Sequence, residues 1–175
     1  ILDPPADANT VNLLESWLKQ AFANINFSAG WKNVVLYFPQ VIYQSPSISN
    51  PVQMGGSGIV SALYAANDLN NGVWTTASGI GSGTIHSTII PSVNVDDPMI
   101  ASLSLLGVNT IRNLQQDLNV LWGKKSLSQE RFYEDIYISR LLTFIEMSIT
   151  NGFQWITFEA NDGLLWETVV ADVSN

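Results

Sequence analysis

A few places in this 175-residue chain bring together residue types that could do chemistry. His86 is the only histidine, so any Ser-His-Asp relay must be built around it. It stands in Gly83-Thr84-Ile85-His86-Ser87-Thr88, a loop-like segment that reads as an incidental histidine rather than a general base. One histidine and no cysteine leave a classical zinc site without ligands. Two glycine clusters, Gly79-Ile80-Gly81-Ser82-Gly83-Thr84 and Trp122-Gly123-Lys124-Lys125-Ser126, invite a phosphate-loop reading. Such a loop needs a glycine five residues before a Gly-Lys-Ser/Thr end, so that backbone amides wrap the phosphates. Here Leu118 stands at that first position and Lys125 follows Gly-Lys, while the other cluster has no lysine.

The acid pairs are no more suggestive of catalysis. Asp96-Asp97 precedes Pro98, the pattern of a helix start, where carboxylates complement the positive end of the dipole. Glu134 and Asp135, read on a strand, point to opposite faces and cannot share one substrate. Oxygen ligands at calcium-loop spacing do not occur. The inventory implies no catalytic group, no metal and no cofactor. The enzymatic alternative is a small α/β hydrolase or transferase using the 79–84 loop and His86.

The elements that must position these residues follow from hydrophobic period. Val11, Leu14, Leu18, Phe22 and Ile25 predict a helix over 9–26, ended by Gly30. Continuous apolar runs at 34–38 and 41–43, parted by Pro39, predict strands buried on both faces. Pro, Ser, Asn and Gly over 45–57 predict a loop, 59–66 a helix with 67–72 as its exit turn, and 74–92 an irregular connection. A helix is expected from Asp96-Asp97-Pro98 to Gly107, then strands at 108–114, 118–122 and 132–138. An apolar helix over 139–150, a strand at 155–158 and a helix capped by Asn161 or Asp162 complete the pattern. Helices alternating with short buried strands argue an α/β fold in a single domain, 1–175, its sheet flanked by helices.

Composition narrows the partners. Net charge is −8 with seven basic residues, the wrong balance for neutralising phosphates, so direct nucleic-acid binding is not expected. No apolar run approaches the ~20 residues that span a bilayer, so no membrane insertion is expected. Charged residues are only 13% of the chain, against about 25% in average soluble proteins. The six tryptophans are spread over every element, which predicts core packing for most of them. The opening Ile1-Leu2-Asp3-Pro4-Pro5 reads as the start of a piece of a longer protein.

An ordered series of short motifs carries more than any of these alone. In order they are Leu2-Asp3-Pro4-Pro5, Tyr37-Phe38-Pro39, Gly56-Ser57-Gly58, and Ala66-Asn67-Asp68 followed by Gly72-Val73-Trp74. Then come Asn109-Thr110-Ile111-Arg112, Trp122-Gly123-Lys124-Lys125-Ser126, Ser139-Arg140-Leu141, and Phe158-Glu159-Ala160-Asn161-Asp162 with Leu165-Trp166. The series resembles the sheath protein of contractile phage tails and related injection systems over nearly the whole chain. It departs from the family pattern where Lys125 replaces an arginine, where Ser139 replaces the first arginine of a pair, and where prolines are missing before Ser57 and after Trp74.

The resemblance implies a tube-proximal core domain, an α/β sandwich that polymerises helically around a tail tube. Contraction of that polymer, with no catalytic step, would drive the tube through a host envelope during genome ejection or injection. Implied partners are copies of itself, the tail tube protein and the baseplate; the implied location is the virion tail, assembled in the host cytoplasm. The resemblance also implies terminal arms that add strands to neighbouring subunits, absent here, which would leave an unpaired sheet edge. Lys124 and Lys125 are the candidate electrostatic contacts with tube or neighbour.

Overall fold

The computed structural model of the chain describes residues 1–22, 29–44, 47, 50–114, 118–128 and 130–174. They form two compact units, Ile1–Leu141 and Leu142–Asn175. The observed class is α/β, with sheets flanked by helices.

The first unit is built on a four-stranded sheet. Its order is β1 (Leu36–Phe38), β6 (Val108–Leu114), β7 (Leu118–Trp122) and β4 (Thr84–Ile85). β1 runs parallel to β6, and the remaining pairs are antiparallel. Leu2 extends the β1 edge by a parallel bridge to Leu36, its N–H donating to the Val35 carbonyl at 2.8 Å. A second, antiparallel sheet takes the order β3 (Val52–Met54), β2 (Val41–Tyr43) and β5 (Ile89–Pro91).

The period-2 alternation of β1 divides the core. Tyr37 faces one apolar cluster with Val60 and Tyr64 of α2 (Ser57–Asn71), Ile111, Leu121 and Ile136. Leu36 and Phe38 face the other, with Leu14 of α1 (Val11–Phe22) and Leu103 of α3 (Asp97–Leu105). The sheet is therefore covered on both faces, which is why 34–38 reads as an unbroken apolar run. Each fully buried Leu or Phe contributes about 1.5–3 kcal/mol relative to exposure.

Where local signals were strong, the elements stand as expected. β6 and β7 occupy 108–114 and 118–122, bounded by Gly107 and Gly123, both at positive φ. Asp96 caps α3, accepting from the Met99 amide at 2.9 Å. The expected end of the first helix at 23–26, and 45–46 and 48–49 of the expected loop, lie outside the described residues.

Other expectations need correction. α2 does not end at 66: it runs to Asn71, where the Gly72 amide donates to Asp68 O at 3.1 Å with φ 87°. The expected loop at 45–57 contains β3, and the expected irregular stretch at 74–92 contains β4 and β5, because strand pairing recruits residues of weak propensity. The expected strand at 132–138 is a 3-10 turn (Arg131–Tyr133) followed by α4 (Ile136–Gly152), so the opposite-faces reading of Glu134 and Asp135 fails with it. The expected strand at 155–158 is also a 3-10 turn, Gln154–Phe158. The second unit holds the rest of α4 from Leu142, that turn, and α5 (Gly163–Ser174).

Inside the first core cluster the Tyr37 and Tyr64 hydroxyls lie 3.1 Å apart. Burial pushes both phenols above the ordinary value of 10.0, Tyr37 strongly. Folded-state values above unfolded ones leave stability full below about pH 10 and remove it as pH rises through the raised values. Urea unfolding followed from about pH 8 to 11 is expected to show that loss, with a shallower slope for Tyr37→Phe. An unchanged slope would exclude the pair as its origin.

Candidate functional site

The sequence motifs that stand far apart along the chain meet as pairs in space. Asp3 sits at the N-terminus of α2, where Gly56 has no side chain to cap with. Its carboxylate accepts from the Ser57 amide at 2.8 Å and the Ser57 hydroxyl at 2.6 Å. A side chain on Gly55 would run into that carboxylate, and one on Gly56 would meet Ile111 Cδ1 at 2.8 Å. The Leu2-Asp3-Pro4 and Gly56-Ser57-Gly58 motifs are thus one latch, with negative charge at the positive end of a helix. Gly58 itself faces open space.

Asp68 of α2 is ion-paired with Arg140 of α4. The Arg140 guanidinium also lies 4.8 Å from the centre of the Tyr64 ring, which in turn reaches Tyr37 on β1. Next to Asp68, the Asn67 amide donates to Thr75 Oγ1 at 2.8 Å and accepts from Asn71 at 3.0 Å. These bonds hold the Gly72-Val73-Trp74 turn; the indole of Trp74 packs where a Gly72 side chain would be, and its outer edge is exposed.

Asn109 is the tightest junction. It is 1% exposed, donates to Lys125 O at 2.7 Å and Leu36 O at 3.3 Å, and accepts from the Lys125 amide at 2.7 Å. Gly123 is required beside it, since φ is 124° and a Cβ would lie 2.6 Å from Asn109 Oδ1. Arg112, on the same strand, donates to Asp97 Oδ1 at 3.0 Å and stacks 5.4 Å from the Trp122 ring.

The lysine pair is committed within the fold. Lys124 donates to Asp135 at 3.0 Å, a bond that raises the lysine above its ordinary value, and it lies 5.3 Å from the Tyr137 ring. Lys125 is ion-paired with Glu134. Glu134 and Asp135 therefore anchor the 123–126 turn to the start of α4, where the Ile136 amide donates to Lys124 O at 2.8 Å.

The groups that could have made an enzyme do not converge. His86 is exposed in the turn between β4 and β5, its Nδ1 3.0 Å from Thr88 Oγ1. The glycine loop spends its amides on the chain itself: Gly79 N donates to Leu121 O at 2.8 Å and Gly81 N to Thr84 Oγ1 at 3.1 Å. A phosphate cradle would need those amides turned outward. Among the described residues, no group of three or more His, Asp or Glu could hold a metal ion.

In the second unit, Asp162 caps α5, accepting from the Leu165 amide at 2.9 Å. Asn161 Oδ1 accepts from the Trp166 indole at 2.9 Å, and the Glu159 amide donates to Ile156 O at 3.0 Å. The Phe158-to-Trp166 motif thus joins the 3-10 turn to the start of α5. Sequence reasoning missed what this unit exposes. Phe144, Met147, Ile149, Trp155, Leu164, Trp166, Val170 and Val173 are all exposed, and Phe158 is 96% exposed. The tryptophans are not mainly core: Trp74, Trp122, Trp155 and Trp166 are exposed, while Trp17 and Trp31 are half-buried. Charge is one-sided as well, with Glu146, Glu159, Asp162, Glu167 and Asp172 and no Lys, Arg or His from 142 onward.

Comparison with solved structures places this fold. Over 99% of its length the chain superposes on 45% of a chain from the sheath complex of an extracellular contractile injection system, PVC, in its contracted state, with TM-score 0.80 and 24% identity. A chain of the anti-feeding prophage helical sheath, also contracted, matches 90% of this chain with 46% of its own, at TM-score 0.70 and 24% identity. The anti-feeding prophage baseplate contributes a further match at TM-score 0.69 and 23% identity, covering 90% of this chain and 46% of the other. The chain therefore has the α/β fold found in these contractile assemblies, and spans a little under half the length of the chains it matches. No family profile and no curated protein matches it.

Two substitutions test the motif pairs. Asp3→Ala removes the cap of α2 and is expected to cost about 0.5–2 kcal/mol. Asn109→Ala leaves buried backbone groups without their partner and is expected to cost about 1–3 kcal/mol. Chemical denaturation of each variant beside the parent measures both; an Asn109→Ala cost no greater than that of an exposed-site control would refute the junction.

Proposed function

We propose that residues 1–175 are the core domain of a contractile sheath subunit, which polymerises helically around a tail tube and contracts to drive that tube through a host envelope. The observation that carries the reading is the superposition of 99% of the chain on a sheath-complex chain at TM-score 0.80. The motif series gives independent support, because residues quoted for it in sequence, such as Asp3 with Ser57 and Asp68 with Arg140, pair across the fold.

In this reading the protein has no catalytic step and needs no cofactor. Work comes from a polymer whose contracted lattice buries more intersubunit surface than the extended one. Its partners are copies of itself, the tube protein and the baseplate, and its location is the tail of a virion or a phage-like extracellular particle assembled in the producing cell. Nucleic acid is not a direct partner, since net charge is −8 and most of the cations are held by carboxylates of the same chain. The outward-facing residues of the second unit supply apolar surface for such contacts. Lys124 and Lys125 would reach a tube or neighbour only by releasing Asp135 and Glu134.

Negative-stain electron microscopy of the full-length protein, expressed alone at high concentration, tests the reading. Hollow helical tubes of uniform width are expected. Monodisperse small particles across salt and pH would overturn it.

A further inference from the structure

The dipeptide Asn-Gly occurs twice, at Asn71-Gly72 and Asn151-Gly152. It is chemically labile, because a glycine nitrogen, unhindered by any neighbouring side chain, can attack the amide carbon of the asparagine before it. Both copies stand in the last turn of a helix, α2 ending at Asn71 and α4 at Gly152. Both asparagines are exposed, so access to water does not separate them. What separates them is how each turn is held.

Ring closure must bring the asparagine amide carbon against the next backbone nitrogen. An intact helical turn keeps the two apart, so the turn has to open first. At Asn71 that opening is opposed on every side. The Asn71 amide donates to Asn67 Oδ1 at 3.0 Å, and Asn67, only 4% exposed, is itself tied to Thr75 Oγ1 at 2.8 Å. The Gly72 amide donates to Asp68 O at 3.1 Å, while its carbonyl accepts from the Thr75 amide at 3.2 Å and the Thr75 hydroxyl at 2.9 Å. The Trp74 indole packs against Gly72, and Asp68 is ion-paired with Arg140.

The end of α4 has none of this. The Asn151 side chain makes no hydrogen bond among the described residues. A Cβ built at Gly152 would meet nothing within 4 Å. The turn is closed by backbone, as where the Phe153 amide donates to Ile149 O at 2.9 Å. Glycine is a poor helix former. The Ser148 and Thr150 hydroxyls bond back to Phe144 O and Glu146 O, a pattern that weakens a helix further. This turn therefore opens at the low end of the local-unfolding scale.

We propose that Asn151 is a site of spontaneous deamidation, while Asn71 in the same dipeptide is preserved. The deprotonated Gly152 nitrogen attacks Asn151 Cγ; the new C–N bond closes a succinimide as the Cγ–Nδ2 bond breaks, and ammonia leaves. Water then opens the ring at either carbonyl, giving aspartate or isoaspartate, with no oxidant, metal or enzyme required. The product adds a carboxylate to a unit that already carries Glu146, Glu159, Asp162, Glu167 and Asp172 and no cation. It also places that charge at the C-terminal end of α4, where the helix dipole disfavours an anion. Isoaspartate lengthens the backbone by a methylene, so the last turn cannot close again in register.

The two sites serve as each other's control in one sample of the full-length protein. It is incubated in mildly alkaline buffer, native and in urea, and peptide mapping by mass spectrometry follows conversion of amide to acid at each asparagine. In the native protein Asn151 is expected to convert roughly tenfold or more faster than Asn71, because only the latter must break side-chain bonds to open. In urea the difference is expected to collapse. Equal native rates, a faster Asn71, or no native conversion at Asn151 while urea releases both overturns the proposal. A difference that persists in urea overturns its structural cause. Gly152→Ala, which the open space accommodates, is expected to suppress conversion at Asn151 and leave Asn71 unchanged. Undiminished conversion in that variant would exclude the cyclic route.

Discussion

One buried amide holds the first unit together. Asn109 lies at the centre of the four-stranded sheet, and its side chain bonds to the backbone of β1 and to both backbone groups of Lys125. A buried primary amide is costly unless every donor and acceptor is met, so the 123–126 turn has one permitted position against the sheet. That turn then sets the rest. Its lysines take hold of Glu134 and Asp135, its carbonyl at Lys124 receives the first amide of α4, and α4 brings Arg140 to Asp68 on α2.

A consequence is that many residues of the types associated with catalysis are employed, among the described residues, in holding the fold. Carboxylates cap helices at Asp3, Asp96 and Asp162, and the remaining pairs neutralise cations at junctions between elements. Glycines serve close approach: Gly123 admits Asn109, and Gly55 admits Asp3.

How much of this was legible differs by residue. β6 and β7 could be read from sequence because Val108, Ile111, Leu114, Leu118, Val120 and Leu121 recur through them and Gly107 and Gly123, which turn the chain, bound the pair. α3 and α5 announced themselves through Asp96 and Asp162, since capping depends only on residues within one helical turn. The segment 132–138 misled because Phe132, Glu134, Ile136 and Ile138 alternate in a way that suits a strand, whereas long-range bonds from Lys124 and Lys125 turn it into the start of a helix. The tryptophans misled for a similar reason: a large apolar side chain looks the same in sequence whether it faces the core or a partner.

The sequence alone determined the α/β class, the central strand pair, the local caps and the poverty of catalytic groups, because each depends on composition or on neighbours a few residues away. The order and spacing of its motifs also sufficed to suggest the kind of assembly. Only the tertiary structure decided which motifs pair, which carboxylates hold which cations and which apolar residues face outward. Those outcomes depend on groups brought together across long stretches of chain, 73 residues in the case of Leu36 and Asn109, and no local period encodes such a meeting.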